Sequence, residues 1–185
     1  MDRPYTIEGY AIVSTDGMLA NAAGMMPDEL KIEADQQFFA KGLDGAAAVL
    51  HGRHSHEQQP HSDQRPRLIL TRRVPRFEPD PSYPKAMHWN PAGCSWEEAL
   101  RSLGVERGVV AIIGGTDVFG MFLPIGYDAF HLSRAANVSL PGGRPVFPEV
   151  PERTPEEILA NYGLRPGPVQ VLDEKAGASL VTWRR

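Results

Sequence analysis

Glycine, arginine and hydroxyl side chains follow three short apolar segments of the chain. Gly52-Arg53-His54-Ser55 follows the first, Arg72-Arg73 the second and Gly114-Gly115 the third. Glycines let backbone N–H groups approach an anion closely, and hydroxyls donate hydrogen bonds to it. Planar guanidinium groups bind phosphate oxygens in pairs. Together the three groups have the chemistry of a site for a ligand with more than one phosphate.

The segment 108–124, GVVAIIGGTDVFGMFLP, has a strand–turn–helix pattern. Its β-branched run is typical of a strand buried on both faces, and the glycine pair ends that run. Apolar residues then recur at helical spacing from Val118 to Leu123, and Pro124 is predicted to stop the helix. A helix that begins directly after glycines presents unpaired N–H groups to an anion. A tight strand–helix connection without a ligand has the same pattern, so the segment alone leaves both interpretations open.

The remaining apolar and turn patterns predict the elements that must position these groups, in one domain over residues 1–185. Strands are predicted at 6–14, 46–51, 67–71, 85–90 (at a sheet edge), 109–113 and 127–134, with a hairpin at 169–172 and 179–183. Helices are predicted at 27–41 with Gly42 as the C-cap, at 96–103, from the glycine pair to Pro124, and at 154–162. Loops are predicted at 20–27, 74–84 and 141–155.

Composition excludes several classes of function. A net charge of −4 without a basic cluster argues against nucleic-acid and membrane-surface partners. A single cysteine excludes an internal disulfide framework and fits a reducing compartment. The first ten residues, MDRPYTIEGY, lack the apolar stretch of a signal peptide, and no apolar run has the length of a membrane span. We therefore expect a cytoplasmic protein with a small-molecule ligand.

In open α/β sheets, ligands bind at the carboxyl ends of the strands. If the three strand ends are neighbours, their amides and the Ser55 hydroxyl suit a diphosphate, and the arginines suit a further phosphate. NADPH carries both kinds of group, whereas NADH lacks the further phosphate. No strand-linked G-x-G-x-x-G occurs, so the ordinary Rossmann fingerprint is absent.

The motifs also follow one another in a recognisable order. Ala11 and Asp16-Gly17-Met18 precede an acid in the first helix; GRHSHE (52–57), LILTR (68–72), IGG (113–115) and FLP (122–124) come after it. This order, over about residues 7–148, resembles the dihydrofolate reductase superfamily. The resemblance implies a three-layer α/β/α fold with a mostly parallel central sheet and a C-terminal antiparallel hairpin. It also implies a reductase that uses NADPH.

Two branches of the superfamily share these features. GRH, IGG and FLP are similar to the folate branch, whereas 14–20 (STDGMLA) and 43–46 (LDGA) are similar to the riboflavin-biosynthesis reductases. The substrate is therefore either a pterin such as dihydrofolate or an aminopyrimidine phosphate. By analogy with the riboflavin branch, a homodimer is expected.

The resemblance assigns the NADPH site to residues on the strand ends and turns. The diphosphate would lie against Gly115, Thr116, Asp117 and His54-Ser55, and the 2′-phosphate against Arg53, Arg72 and Arg73. The nicotinamide would lie beside Ala11, Gly17 and Met18, and the Gly114–Gly115 peptide is often cis in this superfamily. The complete predicted set is Ala11, Gly17, Met18, Gly52, Arg53, His54, Ser55, Thr71, Arg72, Arg73, Gly114, Gly115, Thr116, Asp117 and Val118.

Asp35 is the carboxylate that the resemblance implies for catalysis and substrate binding, with Phe39, Met26 and Ser133 beside the substrate. Aromatic neighbours would raise the pKa of such a carboxyl and suit it to proton transfer. A solvated helix acid is the competing interpretation of Asp35. If the alignment slips, Glu33 or Asp28 takes its place.

The chain also departs from the folate branch. Gly24-Met25-Met26 and His56 stand where that branch has tryptophans, and Arg144 stands where it has an acid; Phe119 keeps an expected aromatic. These departures leave the folate substrate open, and they also leave open a catalytically weak nucleotide-binding module of the same fold. His51, His54, His56 and His61 lie close in sequence, but no acid or cysteine cluster accompanies them, so no metal site is predicted.

Overall fold

The computed structural model describes residues 3–55 and 59–185. The strands in these ranges are β1 (Tyr5–Val13), β2 (Met18–Ala20), β3 (Ala48–Gly52), β4 (Arg67–Leu70), β5 (Phe77–Pro79), β6 (Ala86–Trp89), β7 (Gly108–Ile112), β8 (Ala129–Ala135), β9 (Arg144–Pro145), β10 (Arg165–Pro166), β11 (Gln170–Asp173) and β12 (Ala178–Arg184). The α-helices are α1 (Glu33–Asp44), α2 (Trp96–Ser102), α3 (Thr116–Ile125) and α4 (Pro155–Asn161). Short 3₁₀ turns lie at Asp28–Leu30 and Ser62–Gln64.

The main sheet has the strand order β10-β12-β8-β1-β7-β3-β4-β6-β5, and β11 pairs with β12. The strands from β8 to β6 in this order are all parallel to their neighbours. β12 is antiparallel to β8 and to β11, and β5 is antiparallel to β6. The predicted α/β class, the mostly parallel sheet and the C-terminal hairpin are confirmed.

Helices cover both faces of the sheet. Leu43 of α1 packs against Tyr10, Val49 and Ala111 on one face. Helices α2, α3 and α4 contribute to the larger core on the other face, which includes Trp96, Phe122, Ile158, Ile7 and Val110. Val110, Ala111 and Ile112 have no exposed surface, as expected for a parallel strand covered on both sides. The result is the three-layer arrangement that the resemblance implied.

Helix α1 begins later than its sequence pattern predicts. The turn at Asp28–Leu30 is a separate 3₁₀ turn, Ile32 is extended, and the α-helix runs from Glu33 to Asp44. Gly42 is inside the helix rather than at its C-cap. A Cβ at Gly42 would lie 2.5 Å from the Tyr10 hydroxyl oxygen, so this glycine lets the helix approach the sheet closely.

The strand predicted at 85–90 exists as β6, but the prediction of an edge position was wrong. β5 lies outside it, within the segment predicted as a loop because of its prolines. Proline is tolerated in edge strands because no neighbour needs its missing N–H. Helix α3 also continues one residue beyond Pro124, to Ile125.

The predicted loop at 141–155 contains β9, which pairs antiparallel with β2. Met18 lies opposite Pro145, and Ala20 lies opposite Arg144. This two-stranded ladder is not hydrogen-bonded into the main sheet. It joins the segment that contains β2 to the segment 141–155, which the sequence pattern did not connect. Within residues 3–55 and 59–185, no helix has the length and apolar character needed to cross a membrane.

Candidate functional site

The carboxyl ends of the parallel strands meet at one edge of the sheet, where a cleft of about 930 Å³ opens. Eleven of the predicted cofactor residues line it: Gly52, Arg53, His54, Ser55, Thr71, Arg72, Arg73, Gly115, Thr116, Asp117 and Val118. The lining that the prediction did not include is Leu19, Ala20, Ala23, Gly24, Leu70 and Arg144. The tertiary structure thus brings the three groups of ligand-compatible residues into one cleft.

Two glycine turns form the floor of this cleft. The Gly52 N–H donates a 2.8 Å hydrogen bond to the Gly114 carbonyl oxygen, and the Gly114–Gly115 peptide is cis. A Cβ at Gly114 would lie 3.3 Å from the Ser55 hydroxyl oxygen, and a Cβ at Gly115 would lie 3.4 Å from it. Side chains at these glycines would crowd the Ser55 hydroxyl, so the glycines leave room for this hydroxyl beside the turn.

Helix α3 begins at this floor. Gly115 is its N-cap and provides no side chain to accept hydrogen bonds from the first turn. The Phe119 N–H donates to the Gly115 carbonyl oxygen, so the N–H groups of Thr116, Asp117 and Val118 have no acceptor within the helix. These groups and the positive end of the helix dipole favour an anion at this position.

The charges of the cleft favour anions as well. Four arginines line it, and Asp117 is the carboxylate among its described lining residues. None of the four guanidinium groups forms an ion pair or hydrogen bond with a described residue. Their donors are therefore available to a ligand with several negative groups.

Four predicted cofactor residues do not line the cleft: Ala11, Gly17, Met18 and Gly114. The Met18 side chain is 3% exposed and belongs to the main core. A Cβ at Gly17 would lie 2.8 Å from the Val150 side chain, so Gly17 also faces the interior. Gly114 is buried at the floor, and Ala11 is half-buried on β1. Their cofactor role stays a prediction.

Asp16 fixes the turn that precedes β2. Its carboxylate accepts the Leu140 N–H at 3.0 and 3.1 Å and also hydrogen bonds from Ser14 and Ser139. Burial would raise the pKa of Asp16, but these hydrogen bonds outweigh it and lower the pKa. The ionised side chain thereby holds the 14–20 segment against the loop that leads to β9.

Asp35 is buried at the same edge of the sheet, with 8% of its surface exposed. Burial raises the pKa of its carboxyl, and a hydrogen bond from Ser133, near the carboxyl end of β8, opposes that rise only in part. Glu33 is exposed, and the Asp28 side chain is 95% exposed. Of the three candidate acids, Asp35 alone is buried, and its catalytic role stays a prediction.

The other two predicted substrate residues are Phe39 and Met26. Phe39 is one turn further along α1, where its ring packs against Tyr10 with 5.9 Å between ring centroids. Met26 lies in the loop before α1 and is 37% exposed. Neither of them, nor the pair, is in the lining of the 930 Å³ cleft.

The architecture matches solved structures over nearly the whole chain. A protein of riboflavin biosynthesis from Shewanella sp. PV-4 is 17% identical, with a TM-score of 0.67 over 97% of this chain and 98% of that one. The dihydrofolate reductase of Enterococcus faecalis, complexed with NADP(H) and RAB-propyl, is 19% identical, with a TM-score of 0.64 over 97% and 96%. A pyrimidine reductase-like protein of Corynebacterium diphtheriae is 14% identical, with a TM-score of 0.66 over 97% and 91%. The chain has the dihydrofolate reductase-like fold.

At these identities the similarity establishes the fold only. No protein-family model and no curated protein sequence matches the chain.

Sequence reasoning missed the role of Arg144 in the lining. It noted an arginine in place of an acid, but the proline-rich segment around it showed no strand pattern that would place it in the cleft. His56 and Glu57 of the GRHSHE motif lie outside the described residues. In the part of this dihydrofolate reductase-like domain that the structure describes, no group of three or more His, Cys, Asp or Glu side chains could hold a metal ion.

The raised pKa of Asp35 predicts a pH-dependent effect of Asp35→Asn on stability. The folded protein binds this proton more tightly than the unfolded chain, so the buried carboxyl lowers the free energy of unfolding as pH rises from its ordinary pKa of 3.8 through the raised folded value. We expect Asp35→Asn to unfold at higher urea concentration than the wild type at about pH 7, and the difference to shrink towards about pH 4.

Urea denaturation at a series of pH values measures this difference. Asp28→Asn is the matched control, because it removes a carboxylate from the preceding 3₁₀ turn without removing a buried charge. A constant difference between Asp35→Asn and the wild type across the series would contradict the prediction.

Proposed function

We propose that the protein is an NADPH-dependent reductase that transfers hydride to a pterin or to an aminopyrimidine-type substrate. The observation that supports this most strongly is the convergence of glycine turns, a helix N-terminus and arginines on one cleft, with a buried carboxylate at the same sheet edge. That combination suits a ligand with a diphosphate and a further phosphate, next to a group that can handle a proton.

The proposed NADPH contacts divide by chemistry. The amides of Gly115, Thr116 and Asp117 and the Ser55 hydroxyl would hold the diphosphate. Arg53, Arg72 and Arg73 would hold the 2′-phosphate, which planar guanidinium groups bind bidentately. Bound in this way, NADPH supplies the hydride, and the protein aligns the two reactants and excludes water.

Asp35 would hold the N–H groups of the substrate ring and deliver the proton that accompanies reduction. In a C=N reduction, hydride adds to the carbon and a proton adds to the nitrogen. A buried carboxyl with a raised pKa keeps its proton nearer to neutral pH than an exposed one. The Ser133 hydroxyl lies close enough to this carboxyl to lower its pKa and so to oppose part of the effect of burial.

Both substrate classes remain candidates on the evidence of fold. The fold is similar to that of a dihydrofolate reductase and to that of a pyrimidine reductase-like protein, each at less than 20% identity. For an aminopyrimidine phosphate, hydride would go to the ribosyl carbon instead of a ring carbon. The same cleft and the same carboxylate would serve either reaction.

The deciding experiment combines NADPH binding, followed by fluorescence, with oxidation of NADPH, followed by loss of nicotinamide absorbance. Turnover is measured with dihydrofolate and with 5-amino-6-(5-phosphoribosylamino)uracil. Oxidation with either substrate supports a reductase and identifies the branch. Binding without turnover on either would favour a catalytically weak nucleotide-binding module, and no NADPH binding would overturn both.

Arg72→Ala tests the proposed 2′-phosphate site. We expect the affinity for NADPH to fall about tenfold while the affinity for NADH stays unchanged, because only NADPH carries the group that this guanidinium binds. The dissociation constants of both cofactors measure the ratio. Arg107→Ala is the charge-matched control, because Arg107 is exposed just before β7, at the end of the strand away from the cleft. An unchanged NADPH to NADH ratio in Arg72→Ala would place the 2′-phosphate elsewhere.

Asp35→Asn tests the proposed proton donor. We expect kcat to fall by about a hundredfold or more, the usual range for loss of a general acid, with the NADPH dissociation constant unchanged. Glu33→Gln, on an exposed position of the same helix, is the control. Normal turnover by Asp35→Asn would remove Asp35 from the reaction.

A further inference from the structure

Arg144 lines the cleft from the side opposite to Arg72 and Arg73. The contacts between elements give the order across the cleft. Gly52 at the end of β3 lies beside Leu70 at the end of β4, so Arg72 and Arg73 follow on the β4 side. On the other side of β3, Gly52 bonds to the Gly114 carbonyl that precedes α3. The first helical residue, Thr116, then donates a 2.5 Å hydrogen bond to the Pro145 carbonyl oxygen on β9. Arg144 is therefore adjacent to the N-terminus of α3, and Arg72 is at the far side of β3.

The backbone that carries Arg144 is held in several places. Arg144 pairs with Ala20 in the β2–β9 ladder, and the Val146 N–H donates a 3.0 Å hydrogen bond to the Gly17 carbonyl. A Cβ at Gly143 would lie 2.3 Å from the Ala20 carbonyl oxygen, so the two strands meet more closely there than any other residue would allow. Since the backbone is fixed on both sides of Arg144, its side chain starts from a defined position at the cleft wall.

The guanidinium of Arg144 extends towards the loop that follows β2. Its Nε and Nη2 atoms each lie 3.7 Å from the position that a Cβ of Gly24 would occupy. No described residue accepts a hydrogen bond from it or pairs with its charge. The group thus lies beside Gly24 at the wall of the cleft, and its donors are available to a ligand.

We infer that Arg144 binds the diphosphate of the dinucleotide from the side opposite to the glycine floor. This inference rests on the proposed NADPH site. If the 2′-phosphate is held by Arg72 and Arg73 on the β4 side, the diphosphate lies over Gly115 and Thr116, next to Arg144. The backbone amides then contact the diphosphate from the floor, and one guanidinium contacts it from the wall formed by β9. Arg144 is thus a binding residue for the group that NADPH and NADH share.

The test is the dissociation constants of NADPH and NADH for Arg144→Gln, measured with the wild type and with Arg107→Gln as the charge-matched control. Glutamine keeps a hydrogen-bonding side chain of intermediate length and removes the positive charge. We expect both dissociation constants to rise about tenfold, with their ratio unchanged. This pattern is opposite to that of Arg72→Ala, which changes the ratio.

Three results would overturn the inference. If neither dissociation constant changes, Arg144 does not contact the cofactor, and a change only in the KM of the reducible substrate would assign Arg144 to that substrate instead. A rise for NADPH alone would assign it to the 2′-phosphate. A wild type that binds neither cofactor would overturn the proposed function and this inference together. If the wild type binds both cofactors and Arg144→Gln binds them equally well, the inference alone is overturned. Circular dichroism of Arg144→Gln separates loss of binding from loss of folding.

Discussion

The hydrogen bond from the Gly52 N–H to the Gly114 carbonyl joins the two turns on which the cleft is built. It extends the β3–β7 pairing beyond the last ladder residues, Leu50 and Ile112, and the Ser55 hydroxyl lies on the side of the glycine pair where a Cβ atom would point. The N-terminus of α3 and the end of β3 therefore face the same space. Every proposed phosphate contact on the floor depends on this geometry, because backbone amides bind an anion only when no side chain intervenes.

The opposite wall is held by a different set of interactions. The β2–β9 ladder, the Thr116 hydroxyl and the Asp16 carboxylate connect three loops that are far apart in sequence. Asp16 acts here as an ionised acceptor, since its hydrogen bonds lower its pKa. The floor is thus made by the main sheet, and the wall is made by loops tied to that sheet through polar contacts. Arg144 belongs to the wall, and the other three arginines belong to the strand ends.

Asp35 shows how a proposed function can oppose stability. A carboxyl that is buried and receives one hydrogen bond from Ser133 is less stable in its charged form than an exposed one. The same property lets it hold a proton at a higher pH than an exposed carboxyl can, which suits a group that transfers a proton. Residues whose local environment disfavours their ordinary state concentrate at functional sites. Asp35 is the buried one of the three candidate acids, since Glu33 of α1 and Asp28 of the preceding 3₁₀ turn are both exposed.

Much of the fold was predictable because it depends on short-range patterns. Buried parallel strands appear as continuous apolar runs, and the glycine turns and the capped helix at Thr154 are local signals. The errors arose where packing outweighed the local pattern. Gly42 is a helix residue under Tyr10 rather than a cap, and the proline-rich segment 74–84 contains the edge strand β5. No neighbouring residues in the sequence reveal either contact.

The sequence by itself determined which residue types follow each strand, and so it determined eleven lining residues of the cleft before their neighbours were known. Only the tertiary structure decided that Arg144 lies on the opposite wall, because its position depends on pairing between β2 and β9, which are more than a hundred residues apart. Only the tertiary structure distinguished Asp35 from the other acids, because its burial arises from the packing of α1 against the sheet. The order of residues in the chain fixes the chemical type of each side chain. Which side chains lie close together, and which are shielded from solvent, depends on contacts between distant segments.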